Sequence, residues 1–131
     1  MTILTKAQAA GIGAALNARQ QKLREEIRGA LVASGTDEHQ QLAGAVHDAG
    51  DEAVANLLHD VTLESVHRDV QELRAVEAAL DRLAQGQLGT CTDCGGPVGA
   101  RRLEALPTAT RCIACEERHD KTHAHAAAPK L

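Results

Sequence analysis

Apolar residues recur at helical spacing along the first quarter of the chain. Leu16, Leu23, Ile27 and Leu31 are separated by seven, four and four positions, and residues 8–34 contain no proline. This spacing places the four side chains on one face of an α-helix. The pattern therefore predicts a helix over these residues with a single apolar stripe.

The helical pattern weakens after this first segment. A polar run over 38–41 leaves Leu42 and Val46 as the sizeable apolar groups between residues 35 and 47. We interpret 35–47 as an interrupted or frayed continuation of the first helix. A turn is expected over 48–51, because its glycine supplies backbone freedom and its aspartates can cap the next helix.

The most regular apolar stripe of the chain follows this turn. Its members step by three and four positions and are Leu63, Val66, Val70, Leu73, Val76, Leu80 and Leu83. The stripe predicts a second helix from near Asp51 to Gly86 and Gly89, roughly 35 residues and about 50 Å long. Two such helices joined by a short turn can hide their stripes against each other, which predicts an antiparallel helical hairpin.

The composition makes the expected core thin. The 131 residues include no Phe, Tyr or Trp, and aromatic side chains normally supply the largest buried areas. An aliphatic seam between two helices suits this composition, whereas a compact enzyme with a deep apolar pocket does not. We therefore predict that the protein is not an enzyme.

The charge pattern limits the classes of partner. A net charge of −4 argues against a protein that mainly neutralises phosphates, because nonspecific nucleic-acid affinity comes chiefly from Lys and Arg. Between Arg28 and Arg68 there is no Lys or Arg, and all the formal charges there are acidic. The chain has no long apolar run and no signal-peptide pattern, so a cytoplasmic protein without membrane attachment is predicted.

Four cysteines form two CxxC pairs, Cys91 with Cys94 and Cys112 with Cys115, and 17 residues separate the pairs. A tetrahedral Zn²⁺ site takes four thiolates, and each CxxC turn supplies two of them. A short segment without aromatics cannot fold on burial alone, whereas a structural zinc contributes on the order of 10–16 kcal/mol. One structural zinc ion is therefore predicted.

Two other uses of the chain stay open at this point. One is a redox-sensing or thiol-exchange protein, although no βαβ pattern surrounds the CxxC pairs as in thioredoxin-like proteins. The other is an adaptor whose hairpin docks a helical partner. Catalytic zinc is not expected, because four thiolates leave no open position for water.

These elements define the expected architecture. It is mainly α, with a long antiparallel helical hairpin, or coiled coil, over residues 1–87. A C-terminal four-cysteine zinc finger over 88–131 follows the hairpin. The finger is expected to end in a short helix that starts inside the second CxxC pair, at Ile113, and reaches about His125.

In this order of elements the sequence resembles the DksA/TraR family of bacterial transcription regulators. The matching segments are 89–95, 101–105, 107–109 and 112–115, together with a D-x-x-D-x-A pattern at Asp48, Asp51 and Ala53. The resemblance implies a factor that binds RNA polymerase rather than promoter DNA and inserts its coiled coil into the secondary channel.

By this resemblance Asp48, Asp51 and Ala53 form the functional tip of the hairpin. An acidic tip can be attracted to a basic, metal-containing catalytic centre and is repelled by DNA. The alternative is that the two aspartates only form a turn and a helix cap.

The resemblance also implies contacts made by basic residues. Arg68 aligns with a helix-two position that faces polymerase in the family. Arg101 and Arg102 follow the first zinc knuckle, where they either contact polymerase or nucleotide, or pair with Glu104 and the base of the hairpin. The implied protein is a monomer without sequence-specific DNA binding.

One departure from the family concerns the nucleotide ppGpp. Family members that respond to ppGpp hold it with basic side chains at three positions, which are Ala75, Leu106 and Glu116 in this chain. A polyphosphate meets no cation there, and Glu116 would repel it. Binding of ppGpp together with this protein is therefore not expected.

Overall fold

The computed structural model describes residues 4–48, 54, 58 and 63–127. The helices of this part are α1 (Lys6–Ala33), α2 (Asp37–Asp48), α3 (Glu64–Ala84), α4 (Ala100–Ala105) and α5 (Ile113–Ala127). An isolated antiparallel bridge joins Thr90 and Pro97. Within the described ranges no helix combines the length and the apolar character required to cross a membrane.

Helix α1 begins close to the predicted position. The Thr5 hydroxyl accepts a hydrogen bond from the Gln8 amide (3.0 Å), and the Gln8 side chain accepts one from the Thr5 amide (2.9 Å). This reciprocal capping box satisfies two amides that the first turn of a helix leaves without partners. The predicted stripe is confirmed, because its four residues are at most 1% exposed: Leu16, Leu23, Ile27 and Leu31.

A defined turn separates α1 from α2. Gly35 has a φ of 77°, the left-handed conformation that glycine adopts without steric cost. The Thr36 hydroxyl then accepts a hydrogen bond from the His39 amide (3.1 Å) and caps α2. The predicted interruption after residue 34 is confirmed, but a regular helix of 12 residues follows it instead of a frayed continuation.

Helix α2 runs back along α1. Gln40 and Gly44 share a cleft with Arg28 and Val32, while a second cleft brings Val46 beside residues 21–28. Residue numbers thus rise along α2 as they fall along α1, so the two helices are antiparallel. The end of α2 consequently lies alongside α1, and α2 does not extend α1 in a straight line.

Helix α3 is the antiparallel partner that the second stripe predicts. Arg19 of α1 binds Glu72 of α3 through two hydrogen bonds, from Nε to Oε2 and from Nη2 to Oε1, the latter 2.7 Å long. Nearer the start of α1, Gly13 lies against Leu83. Three members of the predicted stripe are at most 1% exposed, Val66, Leu73 and Val76. The helical hairpin is therefore confirmed as the pairing of α1 with α3.

The start of α3 corrects one prediction. A helix of roughly 35 residues from near Asp51 was expected, but α3 begins at Glu64 and has 21 residues, about 31 Å at the α-helical rise. Leu63 directly precedes the helix and has an extended backbone (φ −68°, ψ 120°), which excludes it from the helix. At the other end Gly86, with a φ of 71°, ends the helix where predicted.

One hydrophobic core joins the hairpin to the C-terminal segment. Besides the buried members of the two stripes, its buried residues are Leu4, Ile12, Ala43, Val46, Val54, Leu58, Ala79, Leu88, Cys91, Val98, Leu103, Ala109 and Cys115. All of these side chains are aliphatic or sulfur-bearing. The hairpin and the segment after it therefore pack as neighbours on one continuous apolar surface.

Charges cross the seam beside Arg19. The hydrogen bond from Arg19 lowers the pKa of Glu72, so this pair stabilises the fold at neutral pH and stops doing so as acid protonates Glu72. Burial, followed by repulsion from Glu26 and Glu72, raises the pKa of Asp69. The ionised Asp69 therefore destabilises the fold at neutral pH, and this destabilisation disappears when acid protonates it. The side chains of Arg19 and Glu72 are 37% and 42% exposed. This ion pair therefore contributes less to the free energy of unfolding than the buried apolar side chains between α1 and α3.

Gly29 provides a test of the packing around α1. It is exposed and helical, and a Cβ at this position would meet nothing within 4 Å. Alanine favours the helix over glycine by about 1 kcal/mol. We expect Gly29→Ala to raise the free energy of unfolding by roughly 0.5–1 kcal/mol, measured by urea denaturation followed by far-UV circular dichroism.

Gly13→Ala is the matched control within the same helix. Its Cβ would stand 3.0 Å from Leu83 Cδ2 across the seam, so crowding offsets the gain in helix propensity. An equal gain in the free energy of unfolding at both positions would contradict the close approach of α1 and α3.

Candidate metal centre

Backbone hydrogen bonds shape the turn that carries the first CxxC pair. The Cys91 amide donates to the Gly96 carbonyl (2.8 Å), and the Gly95 amide donates to the Cys91 carbonyl (3.0 Å). The Thr92 amide donates to the Thr110 carbonyl (2.9 Å), two residues before the second pair. The second pair itself opens α5, which begins at Ile113 as predicted. The two turns are therefore held face to face.

The four cysteine sulfurs converge on one point. All of them lie within 4.8 Å of one another, and the Sγ atoms of Cys94 and Cys112 are 3.9 Å apart. A tetrahedron with Zn–S bonds of about 2.3 Å has edges of about 3.8 Å. Cys91 and Cys115 are buried while Cys94 is exposed. This geometry fits a four-thiolate zinc site.

The surroundings shift the pKa values of two of the thiols in opposite directions. Hydrogen bonds from the backbone amides of Cys94 and Cys112 lower the pKa of Cys91 to about 6. Hydrogen bonding with the Cys112 sulfur, together with burial, raises the pKa of Cys115 to about 12. Thiolates so close together repel one another unless a cation holds them, and Zn²⁺ keeps its thiol ligands deprotonated. The predicted zinc ligands are thus brought together by the fold.

Two arginines fix the approaches to the zinc-binding turns. Arg82 of α3 donates to the Thr90 carbonyl (3.0 Å), directly before Cys91. Arg102 of α4 donates from Nε to the Arg111 carbonyl (2.9 Å), directly before the second pair. Both turns are therefore anchored from neighbouring helices.

A third arginine joins the two turns to each other. Arg111 Nε lies 3.0 Å from Asp93 Oδ2, and its Nη1 lies 3.4 Å from Glu116 Oε2. Burial lowers the pKa of Arg111, but attraction to the two carboxylates more than offsets this and leaves the pKa raised. The sequence patterns did not predict a role for Arg111 or Arg82. The available signal for Arg111 was a basic residue next to Cys112, with acidic residues beside other cysteines of the set.

Helix α4 docks the finger onto the hairpin. Leu103 is fully buried, and with Pro107 it faces Ala7, Gly11 and Ile12 of α1 across a cleft of about 400 Å³. The metal centre therefore sits at the end of the hairpin where α1 begins and α3 ends.

The remaining predicted site residues are dispersed. Arg68 on α3 and Arg101 on α4 are exposed. Arg102 is half-buried, and its bond to the Arg111 carbonyl favours a structural role, although with a different partner from the expected Glu104.

The predicted tip lies mostly beyond the described part of the chain. Asp48 is the last residue of α2. Asp51 and Ala53 fall outside the described residues. Their assignment as a functional tip stays a prediction.

Comparison with known proteins adds three findings. Residues 86–121 match the model of the prokaryotic dksA/traR C4-type zinc finger. The RNA polymerase-binding transcription factor DksA of Escherichia coli is 31% identical over 114 residues, which make up 86% of this chain and 72% of that protein. The protein of the same name from Caulobacter vibrioides is 34% identical over 74 residues, 56% of this chain and 52% of that protein, so the chain spans about half the length of this relative.

A solved structure is similar over almost the whole chain. It is the transcription factor DksA2 from Pseudomonas aeruginosa, which is 30% identical with a TM-score of 0.64. The match covers 92% of this chain and 88% of the solved chain.

Proposed function

The chain belongs to the DksA/TraR family, and on this premise we propose that it binds RNA polymerase directly and regulates the initiation of transcription. The observation that carries the proposal is the match to Escherichia coli DksA, whose 114 aligned residues take in both the hairpin and the finger. That protein is named as an RNA polymerase-binding transcription factor. The proposed role needs no catalysis by this chain.

The zinc centre has a structural role in this function and not a catalytic one. A zinc ion bound by four thiolates supplies rigidity and no open position for chemistry. Arg82 and Arg102 hold the zinc-binding turns to α3 and α4, and Leu103 seats α4 on α1. The finger thereby sets the direction in which the hairpin projects.

The segment between Arg28 and Arg68, which contains no Lys or Arg, is the part proposed to enter the secondary channel of polymerase. By the family resemblance Asp48, Asp51 and Ala53 are its proposed functional residues, in a stretch where all formal charges are negative. Asp48 ends α2, which runs back along α1, so it does not lie beyond the far end of α1. Negative charge favours approach to a basic, metal-containing centre and disfavours contact with DNA. Arg68 and Arg101, whose side chains are exposed, are the proposed polymerase contacts, while Arg102 is already engaged within the finger.

The proposed activity has little or no dependence on ppGpp. Ala75 is exposed on α3, Leu106 is 49% exposed, and Glu116 is engaged by Arg111. These positions offer no cation to a polyphosphate. The protein is further proposed to act as a cytoplasmic monomer without sequence-specific DNA binding.

The experiment that tests this proposal uses purified core and holoenzyme polymerase. We expect the wild-type chain to co-migrate with core enzyme and to change run-off transcription from a ribosomal promoter equally with and without ppGpp. Asp51→Asn should bind within about twofold of wild type but lose most of the regulatory effect, because the tip charge is removed. Asp81→Asn, the same change on an exposed residue of α3, is the control and should regulate as wild type does.

Each assignment can fail separately. Absence of binding by the wild-type chain would refute the proposed function as a whole. Normal regulation by Asp51→Asn would remove only the tip assignment, and a strong rise with ppGpp would remove only the nucleotide independence. Disulfide-reductase activity in a zinc-free sample would instead favour the thiol-exchange alternative.

A further inference from the structure

We propose that Arg111 acts as a clamp between the two zinc-binding turns and slows the release of zinc from the finger. This retention of the metal is independent of any binding to polymerase. Arg111 makes two ion pairs, with Asp93 and Glu116.

The three charged residues stand directly beside cysteines of the two pairs. Asp93 lies inside the first CxxC pair, while Arg111 directly precedes the second pair and Glu116 directly follows it. The bond from Arg111 to Asp93 therefore spans the two turns, and the bond to Glu116 spans the second pair. If the two turns separate, the bond to Asp93 must break.

The backbone of Arg111 is held as well as its side chain. Its carbonyl accepts a hydrogen bond from Arg102 Nε at 2.9 Å, and its side chain is 27% exposed. Arg111, Asp93 and Cys115 line one cleft of about 420 Å³. The backbone that carries the guanidinium group is therefore held in place, and the group lies at the edge of the set of cysteine ligands.

The negative charge around the zinc site favours a positively charged residue at position 111. A Zn²⁺ ion with four thiolates has a net charge of −2, and the carboxylates of Asp93 and Glu116 add negative charge beside it. The Arg111 fork offers separate N–H donors to the two carboxylates, which a single ammonium group cannot do with the same geometry. Outer-shell partners of metal ligands typically change metal affinity by about 10–100-fold.

The test measures zinc transfer from the zinc-loaded full chain to an excess of a chromophoric chelator. We expect Arg111→Gln to release zinc roughly tenfold faster than wild type, at the lower end of the outer-shell range. Arg101→Gln is the matched control, because it removes the same charge from an exposed residue of the same finger, and it should stay within about twofold of wild type.

A double-mutant cycle separates a clamp from simple charge compensation. If Arg111 bridges the turns, Asp93→Asn combined with Glu116→Gln accelerates release as Arg111→Gln does, and adding Arg111→Gln accelerates it no further. If Arg111 only compensates charge, removing the two carboxylates slows release, and that result overturns the proposal.

Salt provides a further readout, and its wild-type arm does not depend on any variant folding. Ion pairs weaken as salt screens them, so release from wild type should accelerate with NaCl more steeply than release from Arg111→Gln. Arg111→Lys, which keeps the charge without the fork, should lie between the two. A wild-type release rate that is insensitive to salt, or equal rates for Arg111→Gln and Arg101→Gln, would overturn the clamp.

Discussion

Replacing Cys115 by serine is expected to cost the finger its zinc and its fold. Cys115 is a buried member of the four-sulfur set, and a serine hydroxyl is a far poorer zinc ligand than a thiolate. Because structural zinc contributes on the order of 10–16 kcal/mol to such a segment, the finger cannot replace it by burial. Bound zinc, measured by elemental analysis after dialysis against a chelator, should fall from about one ion per chain to nearly none.

The control for this change is Ala114→Ser. It introduces the same hydroxyl one residue away, on an exposed position of α5, and should leave zinc content unchanged. Far-UV circular dichroism of Cys115→Ser should retain most of the α1 and α3 signal, because their seam does not contain the metal. A Cys115→Ser finger that stays folded without zinc would contradict the structural role of the ion.

Leu23→Ala is expected to be the most damaging single change within the hairpin. Leu23 is fully buried between the helices, and a Leu→Ala change in a core costs about 2–5 kcal/mol through lost burial and the cavity left behind. This is a large part of the 5–15 kcal/mol that stabilises a typical domain. Urea denaturation followed by circular dichroism measures it, since the chain has no aromatic residue for fluorescence.

Leu106→Ala makes the same chemical change on a side chain that is 49% exposed. Its expected cost is at most about 0.5 kcal/mol. Similar losses in the free energy of unfolding for the two variants would mean that Leu23 does not occupy the core.

The parts of the fold that sequence analysis predicted correctly depend on local periodicity. The α1 and α3 stripes, the glycine that ends α3 and the helix that starts at Ile113 are read from spacing and turn chemistry alone. The zinc ligands were equally accessible, because CxxC spacing encodes the geometry of the site.

The errors arose where tertiary packing decides. The weakening of the apolar pattern after residue 34 indicated an interruption, but a local pattern does not say that α2 folds back along α1. The extended backbone at Leu63, the first member of the second stripe, likewise carries no signal in its periodicity. Arg111 was missed because its bond to Asp93 joins positions 18 residues apart, a distance that no helical or turn pattern relates.

The seat of α4 on α1 has a consequence for the order in which the molecule can assemble. Leu103 lies against the first turns of α1, so the earliest described helix contacts a segment separated from it by most of the chain. During synthesis on the ribosome, the apolar side chains in the first turns of α1 therefore stay uncovered until the finger has been made and has bound its zinc. A shortage of zinc at that moment would leave an exposed apolar surface at the opposite end of the sequence from the cysteines.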